Sequence, residues 1–113
     1  MEARRMVLAL AAALMVAIHV AGAHLGLRGS PISRMAGVAI SLFEAAYWTA
    51  AYPHAPLLAA VFAPMHIAGA VAYLTGVLGK FATESRLRAY SVYEAVELAA
   101  PLYLSYLTLR PLS

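Results

Sequence analysis

Cysteine, aspartate, asparagine and glutamine are all absent from this 113-residue sequence. Without cysteine there is no disulfide framework, no thiolate nucleophile and no Cys-based zinc or iron–sulfur centre. Without aspartate, an Asp pair, Asp-ligated Mg²⁺ and a Ser-His-Asp triad are excluded as well. Charge is scarce too, at 12% of residues, where an ordinary soluble domain carries about a quarter. Joint loss of Asn, Gln and Cys is a thermophile pattern, since those side chains are thermolabile; a GC-rich genome that favours Ala produces the same pattern.

What is present is apolar. Hydrophobic residues make up 64% of the chain, and the mean hydropathy is +0.78. A soluble core cannot hide that much apolar surface at this length, because small domains leave much of theirs exposed. The expected solvent is lipid, and the length allows a single domain, residues 1–113. The formal charge of +3 reads, on a membrane protein, as cytoplasmic loops rather than a nucleic-acid surface.

Short clusters of Pro, Gly, Ser and charge cut the chain into four apolar runs. The first extends from Met6 to Leu27 and ends at Gly26, Arg28, Gly29, Ser30 and Pro31. Ser30 is suited to cap the second helix and Pro31 to open it; that run continues to Tyr52. Pro53, His54 and Pro56 precede a third run, with Gly79 as the expected C-cap. The polar stretch from Lys80 to Arg88 follows, and Ser91 with Glu94 has capping-box spacing for a fourth run to Leu109. Crossing about 30 Å of hydrocarbon takes roughly 20 helical residues, a length the four runs reach or approach. Pro64 and Pro101 are expected to kink the third and fourth helices without excluding them. The fold class expected is all-α: one membrane-embedded domain of four apolar helices.

Arg4 and Arg5, an apolar stretch and Ala21-Gly22-Ala23 have the layout of a secretory signal; we read the segment as retained, forming helix one. Arg28, Arg34, Lys80, Arg86 and Arg88 on one side outnumber Arg4, Arg5 and Arg110 on the other, which favours both termini outside.

Ionisable groups inside membrane spans are costly and functional by default. His19 and His66 fall in the first and third runs, Glu44 in the middle of the second and Glu97 in the fourth. Two intramembrane histidines can clamp a haem b, although counting from the basic turns puts them at depths differing by roughly 7 Å. The alternatives are imidazoles bonded to carbonyls or Glu at helix contacts, or a metal or proton path. No HExxH or other close metal spacing is present, so no metal site is expected. Glu44 is read either as a proton or cation carrier or as a paired acid locking helices together. Glu94 is read as a cap, and Glu97 as a partner for Arg86 or Arg88 of a neighbouring chain. Small multidrug exporters also have four short helices and a membrane Glu, but in their first helix, which here has none.

Gly22 and Gly26 form a GxxxG pair, and Gly69 and Gly76 continue the small-residue pattern in the third run. Such faces let helix backbones approach where no hydrophobic force drives association. Tyr47, Trp48 and Tyr52 read as an interfacial belt, with Tyr90, Tyr93, Tyr103 and Tyr106 bracketing the last helix.

From Pro56 to Arg110 the order is apolar helix, short basic turn, apolar helix. That layout resembles the conjugative pilins of type IV secretion systems. The resemblance implies a non-enzymatic subunit that assembles with copies of itself into a lipid-retaining tube. Lys80, Arg86 and Arg88 would then line a lumen for single-stranded DNA. Cell-surface filaments are the implied location, structural lipid the only implied cofactor, and no residue is assigned to catalysis. Two further readings stay open: a haem b-bearing subunit of a respiratory complex using His19 and His66, and a small transporter using Glu44.

Overall fold

The computed structural model describes residues 2–29, 32–81 and 83–109. It is all-helical, with no strand among the described residues: α1 (Glu2–Leu27), α2 (Arg34–Ala51), α3 (Pro56–Leu74), α4 (Val77–Phe81), α5 (Glu84–Glu97) and α6 (Ala99–Leu109). Two of these, α1 and α3, are long and apolar enough to cross a membrane. The second run makes an 18-residue helix, and the fourth is divided at Leu98 into α5 and α6. Pro101 accounts for the division, since it has no N–H to offer the carbonyl of Glu97 four residues back. Pro64, by contrast, lies within one continuous α3.

Helix boundaries follow local capping chemistry. Ser33, not Ser30, caps α2 by accepting from the Ala36 N–H at 3.2 Å; Ser30 and Pro31 lie outside the described residues. Thr83 caps α5 by accepting from the Arg86 N–H at 3.3 Å. That cap starts the fourth leg before Ser91, so Ser91 and Glu94 are buried mid-helix residues instead of a capping box. The expected basic turn is correspondingly short: Lys80 belongs to α4, and Arg86 and Arg88 to α5. At the end of α3 the stop is Gly76, not Gly79. Its φ of 76° is left-handed backbone that only glycine adopts without strain, and a Cβ there would meet nothing within 4 Å. Gly76 is a turn residue and no part of a packing face.

The helices assemble as two pairs. α2 and α3 form a tight hairpin, while α1 packs mainly along α5 and α6. The result is an elongated bundle of 49 × 24 × 21 Å. Its interior positions on α1 are Leu8, Ala12, Met15, His19 and Gly26, the three-and-four spacing of a helix seam. On α2 they include Gly37, Ser41, Glu44, Trp48 and Ala51. The outside is the greasier surface: Leu10, Leu14, Val61, Val71 and Val96 are exposed, and Leu57 is 83% so.

One half of the bundle is a dry core of Ala12, Met15, Tyr47, Trp48, Ala51, Ala55 and Leu104. Trp48 stacks on Phe62 at 5.1 Å and meets Tyr47 edge-on at 5.1 Å. Tyr47 and Trp48 are therefore interior packing residues, and of the expected belt trio only Tyr52 is exposed. The seam spacing puts both on the same face as Glu44, which turns them inward.

Glycine sets the spacing in the other half. A Cβ on Gly26 would fall 2.7 Å from the Leu87 carbonyl oxygen and 2.7 Å from Ser91 Cβ. One on Gly37 would enter the Tyr73 ring. At Gly22 the nearest atom would be the Glu94 carboxyl at 3.4 Å, and at Gly69 Ser41 Oγ at 3.6 Å. The GxxxG face of α1 is thus spent inside the chain, against α5. Gly26→Ala must push α1 and α5 apart at a backbone contact, an overpacking cost of about 1–3 kcal/mol. Gly22→Ala meets ordinary contact and should cost much less. Thermal aggregation of the two purified variants in one detergent checks this; equal midpoints would contradict it.

Candidate functional site

Five ionisable side chains from all four legs meet in the interior, between the dry core and the glycine-spaced half. They are His19 of α1, Glu44 of α2, His66 of α3, and Glu94 and Glu97 of α5, each buried. Burying a charge is expensive unless it is paired and hydrogen-bonded, and the geometry meets that requirement unevenly.

His66 is fully engaged. Its Nδ1 lies 2.7 Å from Glu44 Oε2 and its Nε2 2.9 Å from Glu97 Oε1. Carboxylates accept and do not donate, so the two bonds together need two protons, one more than a neutral imidazole brings. The Glu44–His66–Glu97 trio therefore holds one proton more than a neutral imidazole brings. Phe62, one turn back on α3, stacks on the imidazole at 6.3 Å and orients the ring.

His19 is placed differently. Its Nδ1–H donates to the Met15 carbonyl at 2.7 Å, which leaves Nε2 to face Glu97 Oε1 at 3.4 Å, Glu94 Oε2 at 3.8 Å and Glu44 Oε1 at 4.0 Å. All three distances exceed a normal N–H···O bond of about 2.7–3.2 Å, and Nε2 has no hydrogen-bond partner although His19 is 1% exposed. His19 Nε2, Glu44 and Glu97 each offer a ligand atom, all within 4.8 Å of one another.

The helix break is part of this construction. Glu97 is the last residue of α5, at the point where Pro101 interrupts the hydrogen-bond ladder. Gly22 lies opposite Glu94, whose carboxyl a Cβ there would only touch, at 3.4 Å.

A cavity of about 770 Å³ leads to the cluster from the bundle end where α3 stops and α5 starts. Its walls are mostly apolar, with Ile18, Leu25 and Ile40 among them; Glu44, His66 and Glu94 form its polar floor. Tyr73, Tyr90 and Tyr93 line it, as do Arg34 and Arg86. Arg34 hydrogen-bonds the Leu74 carbonyl, tying the start of α2 to the end of α3.

Of the residues singled out in the sequence, His19, Glu44, His66 and Glu97 come together. Glu97 pairs with the chain's own histidines and not with an arginine of a neighbour, because its position one turn beyond Glu94 turns it inward. The depth difference between the two histidines vanishes, as both face the same Glu97 oxygen. Three features escaped sequence reading: Glu94 as a cluster member, the Met15 carbonyl that fixes the His19 tautomer, and the candidate metal-ligand set. Each ligand stands on a different helix, so no local spacing reveals the set. The available signal was the seam itself, a polar and small-residue stripe at three-and-four spacing inside otherwise apolar helices.

Lys80 and Arg88 are exposed, as is Arg86 on the cavity wall. In the segment likened to a pilin hairpin, α3 packs chiefly along α2, while α5 and α6 pack along α1. No family model matches the chain, and neither a curated protein nor a solved structure matches it.

Proposed function

We propose that this chain is a small integral membrane carrier that exchanges protons against a cation at the Glu44–His66–Glu97 cluster. The observation that carries the reading is the placement of five ionisable groups at mid-length of a bundle whose exterior is apolar. A water-soluble protein is built the other way round, whereas membrane bundles put polar groups inside and mark ion or proton pathways with them. The cavity opens the cluster towards one end, and the stacked Trp48 and Phe62 fill the other. That is the half-open form expected of a carrier with a midplane site. The acids supply the chemistry, since protons and a cation compete for the same buried carboxylates.

The test is proton movement in liposomes containing the purified chain and a pH-sensitive dye. An inward gradient of Na⁺ or Co²⁺ should drive proton efflux that is at least tenfold slower with Glu44→Gln, which keeps the shape of the side chain and removes its charge. Wild-type vesicles indistinguishable from protein-free ones would overturn the reading.

A further inference from the structure

We infer that the gap between His19 Nε2, Glu44 and Glu97 is a binding site for one divalent first-row transition-metal ion, with Glu94 as a fourth ligand. This rests on the carrier reading above and names the class of cation carried.

The argument starts from His19. Its Nδ1–H is committed to the Met15 carbonyl, so a neutral His19 turns the lone pair of Nε2 towards the three carboxylates. A lone pair facing three acceptors repels them all, and something positive must stand between. A proton serves poorly at these separations of 3.4, 3.8 and 4.0 Å, which lie beyond hydrogen-bond length. A metal ion serves well. Ligand bonds of about 2.0–2.2 Å set neighbouring ligand atoms about 3 Å apart in an octahedron and about 3.4 Å apart in a tetrahedron. The gap among His19, Glu44 and Glu97, whose ligand atoms lie within 4.8 Å of one another, closes onto an ion with shifts below about 1 Å, and Glu94 stands beside it, 3.8 Å from His19 Nε2. A histidine that donates its second N–H to a backbone carbonyl is, in addition, the usual setting of a metal-ligating imidazole.

Charge gives the valence. Three carboxylates set against a doubly protonated His66 leave two negative charges in the interior, and one divalent ion cancels them. The groups facing the gap are His19 from α1, Glu44 from α2, His66 from α3, and Glu94 and Glu97 from α5; Tyr73, Tyr90 and Tyr93 face the cavity beyond. A mixed set of one imidazole and carboxylates suits Mn²⁺, Fe²⁺, Co²⁺ or Zn²⁺, while Mg²⁺ and Ca²⁺ prefer oxygen alone. His66, bonded to two of the ligating carboxylates, is the positioning residue.

The experiment is titration of the full chain in detergent with Co²⁺ alone, followed by its visible spectrum, by X-ray absorption at the cobalt edge, and by a pH dye in weak buffer. We expect one Co²⁺ per chain, an imidazole nitrogen among its ligands and protons released on binding. His66→Gln should weaken binding about 10–100-fold, and His19→Gln by more, each variant first being checked for a single symmetric gel-filtration peak. A His24→Ala/His54→Ala double variant, which removes the two exposed histidines, should bind like wild type. Absence of saturable binding to wild type, an all-oxygen ligand shell, or binding lost in the double variant would each overturn the site. Proton flux driven by a Na⁺ gradient without Co²⁺ binding removes the metal and keeps the carrier; Co²⁺ bound at this shell with no flux removes the carrier and keeps the site.

Discussion

Glu97→Ala should cost the bundle about 3–5 kcal/mol, the usual penalty for breaking a buried ionic pair from one side. Glu97 is 3% exposed, bonds His66 at 2.9 Å and lies nearest His19 Nε2 at 3.4 Å. Truncation leaves one imidazole N–H without an acceptor and removes the carboxylate closest to the other ring. A carboxamide at the same position keeps an acceptor, so Glu97→Gln should lose much less. Removing His66 as well should recover part of the loss, because the stranded donor goes with it. A double-mutant cycle reads this as a coupling energy, and contacting residues couple by about 0.5–3 kcal/mol. Helical circular dichroism during titration from mild detergent into SDS measures all four members of the cycle. A Glu97→Ala loss below about 1 kcal/mol would show that the cluster is not held as described.

Trp48→Ala should be comparably damaging for a different reason, costing about 3–5 kcal/mol by cavity formation. Trp48 is fully buried, stacked on Phe62 and edge-on to Tyr47. No polar bond is lost, since its Nε1 has no partner, so the effect is volume alone. The same SDS titration measures it, with Leu57→Ala as control. Leu57 is 83% exposed and its truncation should stay within about 0.5 kcal/mol of wild type. In liposomes the folded Trp48→Ala protein should also leak protons, because the stack is what closes the far end. A stable, tight variant would assign the closure elsewhere.

The sequence made the helical class legible through Ala- and Leu-rich runs with Pro and Gly between them, and it singled out His19, Glu44, His66 and Glu97 by their cost in an apolar segment. The meeting of these four was not legible. Each stands on its own leg, and only the pairing of α1 with α5 and of α2 with α3 brings them together. Glu94 was misread because Ser91-x-x-Glu94 has the spacing of a cap, whereas Thr83 had already started the helix two turns earlier. Trp48 looked like a belt residue because an apolar run has no hydrophobic face to mark inside from outside. The marker in this chain is inverted: the buried side is the one with Gly, Ser, His and Glu. A Cβ at Gly26 would strike α5, but whether the approaching helix belongs to the same chain depends on tertiary pairing, which no local pattern carries.

The pairing of the legs also dictates an order of events. α2 and α3 are neighbours in sequence, so their hairpin can close as soon as Leu74 has been made. α1 comes first from the ribosome, yet its main partners, α5 and α6, come last. Contacts so distant in sequence are slow to form. Throughout that interval His19 has only the Met15 carbonyl and Glu44 of α2 to face, and a chain stopped before Glu94 holds the imidazole without the acids of the fourth leg. Under the proposed metal site, loading would be the final act of biogenesis, and metal capture would report completed assembly more directly than helix content does.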